Sequence, residues 1–169
     1  MYKEEIPLDI PVVEADYETE RGKPMPSINH SYIQANLIFA LRLHFGQLFN
    51  IVSEVDLNLP NAKRPTVPDL AIFRKQVLTL SKDVTKVKEA PLTTIEILSP
   101  SQTIEELTEK IFENYFPAGV KSAWLVIPSA RTLSIYTPDE RFITYAAGKF
   151  TDPTNGISLE VDAVFEGLV

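Results

Sequence analysis

Apolar residues recur at Ile33, Leu37, Leu41, Phe45 and Leu48, at spacings of four, four, four and three. That is one face of a helix, predicted over residues 28–49 with Ser27 as its N-cap. His30, Gln34 and Arg42 are expected elsewhere on the wheel. The period then changes. Residues 51–59 alternate around Val55, Leu57 and Leu59, and residues 68–73 form a short apolar run, so both read as strands. Residues 92–98 are rich in β-branched side chains and fit a buried central strand. Residues 74–91 are polar and basic, a loop or weak helix.

A second helix is predicted over 102–116. Thr103-Ile104-Glu105-Glu106 matches a capping box, Leu107, Ile111 and Tyr115 form an apolar stripe, and Pro117 and Gly119 end it. Ser101 is a further candidate cap, ahead of Ser99. Residues 123–127 read as a buried strand. Residues 131–136 and 141–145 read as a hairpin around Pro138-Asp139, and 161–168 as a short helical turn. Strand, helix, strand between 92 and 127 predicts a parallel crossover. The expected class is α/β, or mixed α+β, with one central mixed sheet flanked by helices, an N-terminal extended arm or hairpin (residues 1–27) and a C-terminal hairpin.

Length and charge refine this picture. A chain of 169 residues fits one domain. It has no cysteine, which excludes a disulfide framework, zinc–thiolate sites and a cysteine nucleophile. The acidic N-terminus is unlike a signal peptide, and no apolar run approaches the ~18 residues of a membrane span, so a cytoplasmic location without a membrane partner is expected. Net charge is −7. Residues 1–20 hold seven acids and one base, a net of −6, so the remainder is close to neutral. Residues 61–90 hold seven bases and three acids, among them Lys63, Arg64, Arg74 and Lys75 around Asp69. Such a stretch is suited to phosphate contacts, or is simply a solvated loop.

Acids within apolar strands are the anomaly. Glu96 lies between Ile95 and Ile97, and a buried carboxylate is costly unless paired or metal-bound. Asp69 follows Pro68 in a second apolar strand, and Glu54 lies in a third. Carboxylates converging at one end of a sheet would suit Mg²⁺. The bland alternative is a solvent-facing or Arg-paired acid, strongest for Glu54. No Gly-x-Ser-x-Gly and no phosphate-cradling glycine loop is present. A glycosidase-type carboxylate pair is a weaker alternative.

Pro68-Asp69 followed 27 residues later by Glu96 resembles the PD-(D/E)XK nuclease signature. The ordered set Glu96-Ile97-Leu98-Ser99-Pro100-Ser101, Glu109-Lys110, Tyr115 to Gly119-Val120, Trp124-Leu125-Val126 and Arg131-Thr132 to Tyr136 resembles the bacterial Uma-two-like restriction endonuclease family, long catalogued as a domain of unknown function. The resemblance covers about residues 17–168. It implies one restriction-endonuclease-like domain over 1–169 and an endonuclease that needs Mg²⁺ (or Mn²⁺) and acts on DNA, expected as a homodimer. Asp69 and Glu96 would hold the metal, with the Ile97 carbonyl as third ligand. The third position of Glu-x-Lys is Leu98 here, and the family's displaced lysine matches Lys110. Its alternative role is a surface pair with Glu106. Glu54, His30 and Ser99 would support the site: Glu54 as an added ligand or water-holding carboxylate, His30 as a site or phosphate contact, Ser99 as a phosphate contact. A capping or surface histidine is the alternative for His30. The alternative function is a nuclease fold without catalysis, acting as a DNA-binding or protein-interaction module.

Overall fold

The structure, a computed structural model, describes residues 25–169. The acidic segment 1–20 and the hairpin expected at Tyr17–Lys23 lie outside the described residues. Helix α1 (Ile28–Phe45) is followed by strands β1 (Phe49–Ser53), β2 (Leu70–Arg74) and β3 (Thr93–Ile97). Helix α2 (Ile104–Lys110) runs on into a π-helical turn (Ile111–Tyr115). Then come β4 (Ser122–Ile127), β5 (Thr132–Tyr136), β6 (Phe142–Tyr145), β7 (Lys149–Thr151), β8 (Ser158–Glu160) and the short helix α3 (Val161–Val164). The fold is mixed α+β.

The six strands β1 to β6 form one sheet in sequence order. Only β3 and β4 pair in parallel, joined by α2 as the crossover, and the other neighbours are antiparallel. Alternation along β3 sends Ile95 and Ile97 to one face, where α1, the β7–β8 hairpin and α3 cover them. Ala71, Phe73 and Ala123 face the other side, under Ile111 and Tyr115 of the π turn and Leu57 and Leu59 of the β1–β2 connection. Both faces are covered, which is why β3 and β4 read as continuous apolar runs rather than alternating ones.

Local chemistry explains the helix ends. Ser27 caps α1 by accepting from the His30 N–H at 3.2 Å. Thr103, not Ser101, caps α2. Thr103 and Glu106 form the full capping box, with Glu106 accepting from the Thr103 N–H at 2.8 Å, and such a cap contributes about 1 kcal/mol.

Four expectations are corrected. Helix α1 stops at Phe45, so Leu48 lies beyond it and is exposed. The strand expected over 51–59 is shifted to Phe49–Ser53. It ends because Glu54 adopts a left-handed backbone (φ 53°) that cannot continue a ladder. Leu57 is still buried, held by isolated bridges to Thr66 and Val87. Glu54 is therefore an exposed loop residue, not a strand acid. His30 is not off the apolar face of α1: it precedes Ile33 and Leu37 by three and seven residues and is buried with them. The β7–β8 hairpin has no counterpart among the expected elements; its strands are only three residues long, too short for a periodic signal.

Candidate active site

Asp69 sits just before β2 and Glu96 one residue from the end of β3. Register pairs Leu70 with Ile95, so the antiparallel turnover brings both acids to the same end of the sheet. Both are 3% exposed. Asp69 Oδ2 accepts from the Ile97 N–H at 2.7 Å, so the two carboxylates flank one peptide unit. The Asp69 carbonyl is held by the Gln34 side chain at 3.0 Å and by the Glu54 N–H at 3.1 Å.

Helices reach this corner from both faces. From α1, His30 Nε2 lies 3.0 Å from Asp69 Oδ2, while the buried Nδ1 has no hydrogen-bond partner among the described residues. From the last residue of α2, Lys110 Nζ lies 2.8 Å from Glu96 Oε1 and donates to the Val67 carbonyl at 3.0 Å. Its side chain keeps 15% exposure. Lys110 thus pairs with Glu96, not with Glu106. Tyr115 donates its hydroxyl to the same Glu96 oxygen.

The π turn makes this arrangement possible. Residues five apart on an α-helix diverge by about 140°, whereas i→i+5 closure brings them to one side. The Phe116 N–H closes on the Ile111 carbonyl at 3.1 Å, and Lys110 and Tyr115 meet at Glu96, with Nζ 5.7 Å from the Tyr115 ring.

Burial pushes the Glu96 carboxyl above its ordinary range; Lys110 pulls it down, Asp69 pushes it up again, and the net direction is upward. Burial and the adjacent carboxylate also push the Tyr115 phenol well above its usual value, so it stays a donor. Two buried carboxylates side by side, one of them held by a lysine, make a setting that favours a bound cation.

Among the described residues, no group of three or more His, Cys, Asp or Glu side chains is arranged to hold a metal ion. Glu54 therefore does not complete a three-acid cage with Asp69 and Glu96. Two carboxylates and a backbone carbonyl suit Mg²⁺ or Mn²⁺, which keep waters and take substrate oxygens. They do not suit a closed zinc site. Ser99 is buried just beyond β3, and its N–H is held by the Gln102 side chain at 3.2 Å.

The basic residues divide into two groups. Lys63 and Arg64 lie over the π turn, through Lys63–Glu113 at 2.6 Å and the Arg64 N–H on Asn114 Oδ1 at 3.0 Å. Arg74 and Lys75 lie at the far end of β2, about 15 Å along the strand from Asp69. Lys75 Nζ is bonded to the Gly46 carbonyl at 2.6 Å there. The expectation of one basic flank around Asp69 fails for these two because β2 runs away from the site.

Residues 15–168 match the model of the family Uma2, described as "Putative restriction endonuclease". The chain belongs to the Uma2 family. A solved structure similar to this Uma2 chain is that of a "putative nuclease belonging to DUF820" from Anabaena variabilis, with a TM-score of 0.70 and 23% identity over 84% of this chain and 83% of that one. At that identity the likeness shows the shared restriction-endonuclease-like fold. No curated protein matches the chain. Among the described residues, no helix is long and apolar enough to cross a membrane.

Sequence reasoning missed two residues that hold this candidate site. Gln34 reads only as a polar helix position, and Tyr115 only as part of an apolar stripe and a family motif. The spacing of His30 to Ile33 and Leu37 carries a usable signal for its burial. Nothing in the local pattern marks the π turn.

Proposed function

We propose that this Uma2 chain is a divalent-metal-dependent endonuclease that hydrolyses DNA phosphodiester bonds. The observation that carries the reading is the pair of buried carboxylates, Asp69 and Glu96, flanking the Ile97 peptide with Lys110 held on Glu96. Asp69, Glu96 and the Ile97 carbonyl would hold Mg²⁺ or Mn²⁺. Such a metal supplies Lewis-acid polarisation of a phosphoryl oxygen and a lowered pKa for a bound water. Lys110 is placed to orient that water and to stabilise developing negative charge. Its exposed fraction gives it access to substrate, and its bond to the Val67 carbonyl fixes its direction. His30 holds Asp69, Gln34 and the Glu54 N–H hold the Asp69 backbone, and Tyr115 holds Glu96. Lys63 and Arg64 are the basic residues of this set nearest the site and would meet the phosphate backbone of a duplex.

The test is cleavage of supercoiled plasmid with Mg²⁺ or Mn²⁺. Wild-type protein cuts, and Asp69→Ala, Glu96→Ala and Lys110→Ala do not. Metal-dependent cleavage that survives intact in Asp69→Ala overturns the reading. Leu98 in place of the Glu-x-Lys lysine favours one other reading, a binding module without catalysis. Calorimetric titration separates them: Mg²⁺ heat lost in Glu96→Ala supports the nuclease, and no binding at millimolar Mg²⁺ supports the module.

A further inference from the structure

Helix α1 carries a second apolar stripe. Ile28, Tyr32, Ala35, Phe39 and Leu43 follow one another at spacings of four, three, four and four, on the face opposite the buried Ile33, Leu37 and Leu41. Among the described residues Ile28 is 82%, Phe39 68%, Leu43 64% and Tyr32 47% exposed, with the Tyr32 ring lying against Gly167. An apolar stripe left exposed between polar flanks marks a contact surface. No acid lies in the first turn of α1, and Arg42 and His44 lie in the last.

We propose that this stripe is a two-fold interface with a second copy of the chain, α1 packing antiparallel on its counterpart. The pattern is self-complementary. About a midpoint between Ala35 and Asn36, Ile28 falls opposite Leu43 and Tyr32 opposite Phe39, and the converse contacts follow from the same register, as a two-fold axis requires. The small Ala35 at the centre allows close approach. A shallow apolar depression between Ala35, Ile38, Phe39, Arg42 and Leu43 receives the partner's ring. Antiparallel packing opposes the two helix dipoles. It also brings the Arg42 end of each helix to the N-terminal turn of the other, where the exposed Ser31 hydroxyl is an acceptor. No like charges meet near the centre of the stripe.

The area sets the strength. A fully covered aromatic side chain buries about 150–250 Å², so the partly exposed stripe offers on the order of 500 Å² per copy. With its flanks this approaches the ~1,200 Å² total of the smallest stable interfaces, which points to a dimer of roughly micromolar strength.

Sedimentation across the micromolar range is expected to show reversible dimerisation, lost in Phe39→Glu and in Leu43→Glu. Both side chains are exposed, so far-UV circular dichroism should not change. Register is read by cross-linking, because the chain has no cysteine of its own. Oxidised Ala35→Cys should run as a covalent dimer, since its two copies sit at the axis. Ile28→Cys should not, since its copies are about 22 Å apart along the axis, beyond the ~7 Å Cα limit of a disulfide. A wild-type chain that stays monomeric overturns the proposal, as it would if residues 1–24 covered the stripe within one chain. A dimer insensitive to Phe39→Glu overturns it equally, as does cross-linking by the Ile28→Cys variant but not by the Ala35→Cys variant.

Discussion

Two buried carboxylate clusters occupy opposite ends and opposite faces of the β3–β4 pair, and they are built differently. At the start of the strands, Asp152 is wholly buried. It accepts from Trp124 Nε1 at 2.7 Å, from the Ser122 hydroxyl, from Asn155 at 3.2 Å, and from both the N–H and the hydroxyl of Thr154. Every one of these donors is neutral. At the other end, Glu96 is paired with Lys110 and Asp69 with His30 among the described residues, and the net push on Glu96 is toward protonation. The first cluster is satisfied by the protein and ties the β7–β8 hairpin to the sheet. The second, among the described residues, pairs its carboxylates with ionisable partners, Lys110 on Glu96 and His30 on Asp69. Burial alone does not mark a site; a buried acid with a raised pKa beside a second carboxylate and a partly exposed lysine does.

The comparison breaks most readily by exchanging the two roles. Glu96→Gln should lower metal-dependent cleavage by at least about 10³-fold, with little change in Tm. Asp152→Ala should do the opposite. It orphans several buried donors, so stability falls by about 3–5 kcal/mol and Tm by roughly 6–20 °C, while the folded fraction cuts normally. Equal loss of activity in both, measured per folded molecule, would erase the distinction.

Next in size, Lys110→Met should reduce cleavage by about 10²–10³-fold without weakening Mg²⁺ binding measured by calorimetry. Protons should compete with metal at the Asp69–Glu96 end only. With the folded pKa of Glu96 raised, its protonated form stabilises the metal-free protein below about pH 4.5, and that contribution is lost as pH rises through the folded value. The rise in Tm produced by Mg²⁺ should therefore grow with pH above that point, and should vanish in Glu96→Gln. Smallest is Tyr115→Phe, which removes one donor from Glu96. It should cost about 1 kcal/mol or less and a few-fold in rate, read from melting and initial velocities.

Much of this was legible from residues alone. The burial of Glu96 follows from Ile95 and Ile97 on either side, and the capping box at Thr103 and Glu106 is a local pattern that formed as written. The parallel crossover follows from strand–helix–strand order. Elsewhere local pattern misled. The alternation through Val55 and Leu57 concealed a left-handed residue at Glu54. The charge run 61–90 gave no sign that Arg74 and Lys75 ride β2 away from Asp69.

The sequence by itself determined which segments are helices and strands and which acid had to be buried, because period and flanking side chains act within a few residues. Family resemblance grouped Asp69, Glu96, Lys110 and His30; only the tertiary structure decided how they meet at one corner, with Tyr115 among them. That depends on β2–β3 register, on the docking of α1 and on a π turn that puts residues five apart on the same side. These are pairings between distant parts of the chain, set by which faces bury together, and no local spacing encodes them.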